Sequence, residues 1–351
     1  MLHTLQSPKD LWLPGFISLR KVSVGAPSQP DPEKTVARVG EVLPLFLLPN
    51  LETVYVRGLT IDGIEARDWA TNGPRSSLYR LPNNSSSVRN ICFDETHRTL
   101  VRLIIENIIE ACRQLETFVV KSCEISNFDG ISTRLVEKHG PTLENFFCYG
   151  DVSELKACGG AWFETTKNYL TNPISIKILS VDIVTLAKGA LIDHRWDGHE
   201  LYDVVKANRF DNRGDSNELV RYFEEYVGLH LASLETLIVQ VQHGTAFTET
   251  DFRRIDEAFA RLLQPTNDSN RNGDEANEVN TEKLLCPYLK RLYLDLVIAA
   301  GPSANDFGLL QRIALFSKTR EQASRRGIGA YVEFGAAERY MQELSDGIFK
   351  L

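Results

Sequence analysis

The sequence predicts an α/β fold: a solenoid whose short strands lie side by side as a curved parallel sheet, with helices on the convex face. Three observations predict it. A six-residue skeleton (apolar, two mostly polar, apolar, any, apolar) recurs eight times along the chain. The intervals between first positions are 32, 37, 27, 28, 33, 58 and 55 residues; the first five average about 31, the period of a repeat array. Segments between the copies carry apolar side chains at three- and four-residue spacing, the signature of amphipathic helix.

The copies are LRKVSV from Leu19, LETVYV from Leu51, VRNICF from Val88, LETFVV from Leu115, LENFFC from Leu143, IKILSV from Ile176, LETLIV from Leu234 and LKRLYL from Leu289. Each has the length of a short strand. Before the fourth copy, Glu95 to Gln114 sets Leu100, Leu103, Ile104, Asn107, Ile108 and Ala111 along one helix face. Before the fifth, a shorter run ends VEKHG, where His139 supplies a cation at the carboxyl end and Gly140 the left-handed residue of a helix stop. After the sixth comes an insertion at about 187–230, with a helix expected from about Asn217 to Tyr226. Thr250 to Leu263 repeats the stripe with Phe252, Ile255, Phe259 and Leu262, and Thr250 is placed to cap it beside acidic Asp251. A second insertion, about 264–284, is nearly without apolar side chains; Pro265 to Thr281 therefore reads as a flexible surface loop. GIGAYVEFG from Gly327 reads as a turn into a last strand. The expectation is eight or nine strands in one domain spanning residues 1–351.

Strand, loop, helix, loop, strand is the unit of a leucine-rich repeat, and such a unit buries its apolar face only by stacking on neighbours. On these hexads, on LPNLETVYVRGL from Leu48 and on RRGIGAYVEF from Arg325, the chain resembles the leucine-rich-repeat region of fungal F-box-type proteins. The resemblance covers Leu19 to about Leu351. It implies a substrate-recognition piece that meets a cullin-type ubiquitin-ligase adaptor. The Asn or Cys of a regular repeat is mostly missing after the third apolar position, and no F-box stands before the first hexad, so the ligase role is not carried over residue by residue. That start also raises the reading of a truncated gene product.

Composition narrows the function. With 43% hydrophobic and 25% charged residues the chain belongs to the ordinary globular class. Its 39 basic and 47 acidic side chains leave a net charge of −8, the wrong sign for a protein held to nucleic acid by phosphate neutralisation. MLHTLQSPKDLWLPG is unlike a secretory signal, and no membrane-spanning window is seen, so the expected setting is cytoplasmic or nuclear. Sequons at Asn83, Asn84 and Asn267 are then chance matches. The cysteines Cys92, Cys112, Cys123, Cys148, Cys158 and Cys286 form no CxxC pair and read as small buried hydrophobes.

No catalytic signature, cofactor site or metal site is expected. DHRWDGHELYD, Asp193 to Asp203, holds the ligand types of a metal site, but His194 and His199 have neither HExxH nor finger spacing. It reads as a polar insertion anchored by Trp196 and Tyr202; a metal-dependent or small-molecule enzyme built on it is the rival reading. The strand face carries the functional expectation. Leu234, Leu237 and Val239 point to the core, so Thr236 and Ile238 point to the concave face. The places equivalent to Ile238 are Ser23, Tyr55, Cys92, Val119, Phe147, Ser180 and Tyr293. An apolar row facing solvent marks an interaction site, so the row is read as a groove for a protein partner. Tyr55, Phe147 and Tyr293 are its anchors, with Arg57, Asp94, Lys121, Tyr149, Asp182, Gln240 and Asp295 at the rim. The competing account folds the insertion from Ala187 to Tyr226 over the row and buries it.

Overall fold

The computed structural model describes residues 14–25, 37–60, 81–95, 101–121, 129–149, 175–182, 233–241, 249–265, 286–296, 316–333 and 336–349. Contacts divide the chain into two compact units, Met1–Ile176 with Glu338–Leu351, and Lys177–Ala337. The insertions at about 187–230 and 264–284, including the helix expected at 217–226, lie outside the described residues apart from Gln264 and Pro265.

The first unit holds β1 (Lys21–Val24), β2 (Ala37–Arg38), β3 (Thr53–Arg57), β4 (Leu59–Thr60), β5 (Asn90–Asp94), β6 (Thr117–Lys121) and β7 (Asn145–Tyr149). Its strands β1, β3, β5, β6 and β7 pair in that order, all parallel, while β2 and β4 form a separate parallel pair. The second unit holds β8 (Ile178–Asp182), β9 (Thr236–Val241), β10 (Arg291–Leu296) and β11 (Gly329–Glu333), again parallel and in order. All eight hexads are strands, and the run after Gly327 is the ninth in these sheets, entered through a positive φ at Gly327.

One device recurs at the entrances of β3, β5, β6 and β7 in the first unit and of β9 and β10 in the second. The carbonyl of the second hexad residue accepts two N–H groups from the next strand: Arg20 O takes Glu52 and Thr53, Glu52 O takes Arg89 and Asn90, and Arg89 O takes Glu116 and Thr117. In the second unit Lys177 O takes Glu235 and Thr236, and Glu235 O takes Lys290 and Arg291, at 2.8 to 3.1 Å. The recurring Leu-Glu-Thr now has a physical account. Its Leu is buried in the core, and its Glu pairs with a cation on the adjacent rung, as in Arg89–Glu116 at 2.8 Å and Lys290–Glu235 at 2.6 Å. The Thr accepts from a neighbouring Asn amide, with Asn145 on Thr117 at 3.1 Å and Asn90 on Thr53 at 3.4 Å.

Register fixes two faces. On one, Val54, Val56, Ile91, Phe93, Phe118, Val120 and Phe146 are buried, and the Phe118 ring lies 5.9 Å from Phe93 and 6.3 Å from Phe146. Leu179, Leu237, Val239, Leu292 and Leu294 do the same in the second unit. The helices are α1 (Val39–Val42), α2 (Val101–Ala111), α3 (Asp129–His139), α4 (Glu249–Leu262), α5 (Ser317–Arg325) and α6 (Ala336–Phe349). Right-handed crossovers between adjacent parallel strands put α2 and α3 on this core face. Their Ile104, Ile105, Ile108, Ile109, Ile131 and Leu135 are fully or almost fully buried. Asn107, the polar member of the expected stripe, accepts from Leu81 N–H at 2.9 Å and so ties the incoming loop to α2.

Three local expectations are corrected. The helix α4 begins at Glu249, so Thr250 is its second residue and not its cap. Gly140 is not among the described glycines of positive φ. His139 ends α3 but not as an exposed cation: the ring is buried, Nδ1 accepts from Leu115 N–H at 3.3 Å and Nε2 donates to Ile109 O at 3.0 Å. That pairing requires the neutral ring, and burial pushes its pKa down to about 4. Cys92, Cys112 and Cys286 are buried free thiols, and burial raises the latter two, to about 12 and about 11.

Helix α5 is capped by a residue remote in sequence. Its N-cap Phe316 makes no side-chain cap. The buried Asp256 of α4 instead accepts from Thr319 N–H at 2.8 Å, Thr319 Oγ1 at 2.7 Å and Lys318 N–H at 3.2 Å. Beside it Lys318 holds Glu257 at 2.6 Å, a hydrogen bond that lowers the Glu257 pKa. Asp256→Ala is expected to destabilise by about 2–4 kcal/mol, because it leaves the buried Thr319 N–H and the part-buried Lys318 N–H of the helix end without their acceptor. Asp256→Asn, which keeps an acceptor, is expected to lose clearly less in a urea titration. For His139 the folded pKa lies below the ordinary 6.5. The unfolded chain therefore takes up the proton first, and stability present above pH 6.5 is lost as the pH falls toward 4. The full effect is about 3 kcal/mol. His139→Gln should flatten the pH dependence of the denaturation midpoint across that window.

Candidate functional site

The expected row exists as a row. Ser23, Tyr55, Cys92, Val119 and Phe147 are register partners across β1, β3, β5, β6 and β7. In the second unit Ser180, Ile238 and Tyr293 are partners across β8, β9 and β10, and Tyr331 of β11 extends them. It is not an open apolar groove. Cys92, Val119 and Ile238 are fully buried, and Tyr293 retains 8% of its exposure. Of Phe147, Tyr149, Gln240 and Asp295 the structure describes the strand position only.

At the β1–β3 end α6 lies on this face; the 187–226 insertion lies outside the described residues. Met341, Ser345 and Phe349 are buried at four-residue spacing on one side of this helix. The Phe349 ring lies 6.3 Å from the Tyr55 ring. Lys21 Nζ donates to Ile348 O at 3.1 Å, a cation at the negative end of the helix. Tyr55 and Lys21 stand on the face opposite the core, so α6 ends on the strand face that the sequence left open.

The rim residues of the first unit spend their charges on one another. Arg57, Asp94, Lys121 and Tyr149 are register partners. Arg57 Nε donates to Glu95 at 2.9 Å, and that hydrogen bond raises the guanidinium pKa. The buried Asp94 accepts from the Tyr55 hydroxyl and lies 3.5 Å from Lys121 Nζ, while its Oδ1 makes no hydrogen bond. Burial, followed by the bond to Asp94, drives the Tyr55 pKa far above its ordinary value. Tyr55, Arg57 and Lys121 thus hold β3, β5 and β6 together. A single-copy reading of the sequence could not separate this from a contact surface.

In the second unit an aromatic of the row is exposed. Tyr331 is 41% exposed and stacks on Tyr293, with ring centroids 4.7 Å apart and planes 15° from parallel. Gly329 makes room, since a Cβ there would stand 3.0 Å from the Tyr331 ring. Sequence reading missed Tyr331 as a row member. Register gives its rung the hexad Gly327-Ile328-Gly329-Ala330-Tyr331-Val332, which lacks the large apolar side chains at the first and fourth places. The one available signal was the aromatic two places after Gly329.

No family model matches the chain, and no curated protein or solved structure matches it either. The sheet, its register and its side chains therefore carry the functional argument by themselves. Among the described residues no group of three or more His, Cys, Asp or Glu could hold a metal ion. Asp193 to Asp203 lies outside them, as do His194, Trp196, His199 and Tyr202. No described helix is long and apolar enough to cross a membrane.

Asp94→Ala is expected to destabilise by about 2–4 kcal/mol, because it strands the Lys121 charge and the Tyr55 hydroxyl. Tyr55→Phe should lose about 1 kcal/mol. A double-mutant cycle in urea should show the two effects coupled rather than additive.

Proposed function

We propose that the chain is a non-enzymatic protein-interaction module, a leucine-rich-repeat-like solenoid that takes a protein partner at the Tyr331 end of its strand face. One observation carries the reading: beside the buried Ser180, Ile238 and Tyr293 of the second unit's row, Tyr331 stands exposed on a stacked aromatic base. Exposed aromatics on a rigid scaffold supply large contact area at low entropic cost and dominate interface energetics. Val119 and Ile238, named as contacts from the sequence, serve the interior of the module instead. The substrate-recognition role in a cullin-type ubiquitin ligase belongs to this proposal through the resemblance alone.

Quantitative affinity purification of the tagged chain from its native cells tests the proposal. Tyr331→Ala should deplete specific co-purifying proteins at least about fivefold, whereas Tyr288→Ala, an exposed tyrosine in the turn before β10, should leave them. Retention of every partner by Tyr331→Ala overturns the proposed surface. Recovery of partners without a ligase adaptor removes the ubiquitin-ligase role and leaves the module.

A further inference from the structure

In β3, β5, β6, β7, β9 and β10 the N–H groups of the second and third hexad residues both go to one carbonyl of the preceding rung. On the rung of β1 those groups are the Arg20 and Lys21 N–H, and among the described residues no carbonyl accepts either. Lys21 is the register partner of Thr53, whose N–H bonds to Arg20 O, so the backbone groups of Val22 and Val24 turn to β3 and those of Lys21 and Ser23 turn away from it. This rung has no buried residue. Leu19, Val22 and Val24 are half-buried and Arg20, Lys21 and Ser23 exposed, whereas the next rung buries Leu51, Thr53, Val54 and Val56. Edge strands are ordinarily guarded by a proline, a bulge or a lysine. LRKVSV has no proline, its register with β3 is unbroken, and its lysine is drawn onto the row face by Ile348 O at 3.1 Å.

The protein itself shows what precedes a rung of this kind. LKRLYL from Leu289 also begins with a leucine and two cations. The rung before it is a Leu-Glu-Thr: Glu235 O accepts Lys290 and Arg291 N–H at 2.8 and 3.1 Å, and the Glu235 carboxylate holds Lys290 Nζ at 2.6 Å. Arg89 likewise follows the Leu-Glu-Thr of β3, with Glu52 O accepting Arg89 and Asn90 N–H at 2.8 and 3.0 Å. Arg20 pairs with Glu52 on its inner side, yet 63% of its side chain stays exposed. The several N–H donors of a guanidinium leave room for a second carboxylate.

We propose that the outer edge of β1 receives an extended segment of a partner protein carrying an apolar residue, a glutamate and a threonine in succession. It adds as a parallel rung, its glutamate carbonyl accepting the Arg20 and Lys21 N–H groups and its carboxylate meeting the Arg20 guanidinium. The chain's own Leu-Glu-Thr rungs are β3, β6 and β9, each paired on both sides, so a second copy does not supply it. This surface belongs to the first unit and stands independently of the Tyr331 reading.

The test uses the full chain and a fluorescein-labelled peptide, Leu-Glu-Thr-Val-Ser-Val, of about the length of a typical strand. Leu-Lys-Thr-Val-Ser-Val is the comparison, and the readout is anisotropy at low salt. The glutamate peptide should bind and the lysine peptide should not. Ser23→Pro removes an outward N–H without touching the bonds to β3, and should weaken binding roughly 3- to 10-fold. Arg20→Glu should weaken the glutamate peptide by a similar factor and gain binding of the lysine peptide, and both variants should melt close to the unaltered chain. Equal affinity in all three proteins, or no binding, overturns the proposal. Loss on Arg20→Glu with full binding by Ser23→Pro means charge attraction without an added rung, and overturns it too. A chain that sediments as a dimer and becomes monomeric on Ser23→Pro has this edge taken by a second copy, which overturns the partner class.

Discussion

The constraint on which the rest depends is the double acceptance at the entrances of β3, β5, β6, β7, β9 and β10. One carbonyl receiving two N–H groups from the following strand admits a single register, since a slip of one residue would break both bonds and turn every side chain to the wrong face. Parallel pairing then carries the same parity from Lys21 through Tyr149 in the first unit and from Ile178 through Glu333 in the second. Core Phe side chains stack above one another because of it. So do the Thr–Asn hydrogen bonds, the charge pairs and the two tyrosines. Surface ion pairs contribute little each, but their alternating signs agree with only one register and so reinforce what the backbone selects.

Burial on both faces follows from parallel architecture. A parallel sheet is ordinarily covered on each side, and the fully buried Cys92 and Val119 on the face away from α2 and α3 show such a second cover. Near β3 that cover is the end of α6, which brings Phe349 to Tyr55. Once a face is dry, its charged groups must find partners within the fold. Asp94, Tyr55 and Lys121 form such a group, and the unbonded Asp94 Oδ1 marks where the pairing is incomplete.

Strand identity, parallel order and the row were legible because each depends on a local pattern repeated at short range: apolar positions four and six of the hexad, and the two-residue period of a strand. The amphipathic stripes of α2 and α4 were legible for the same reason. What covers the row was not, because the contact between Phe349 and Tyr55 joins residues nearly the whole chain apart and neither segment's pattern names the other. The cap on α5 hid likewise: Asp256 looks like an ordinary polar residue of α4 until Thr319 is brought against it. His139 was misread because a helix-end histidine has one sequence appearance whether it is a solvated cation or a neutral buried ring. Tyr331 escaped because its rung replaces bulky apolar residues by Gly327 and Ala330, and only pairing with β10 reveals the register.

β1 of the first unit and β11 of the second are built differently. A ladder of in-register rungs shields each inner rung on both sides, and exposed edges are ordinarily blunted against unwanted pairing. β1 carries small Ser23 in the row, and Lys21, whose ammonium α6 engages through Ile348. Its following residue, Gly25, accepts no side chain, since a Cβ would stand 2.5 Å from Arg57 O. β11 is built the opposite way, with an exposed tyrosine over a glycine. An edge meant only to be solvated has no need of an aromatic stack.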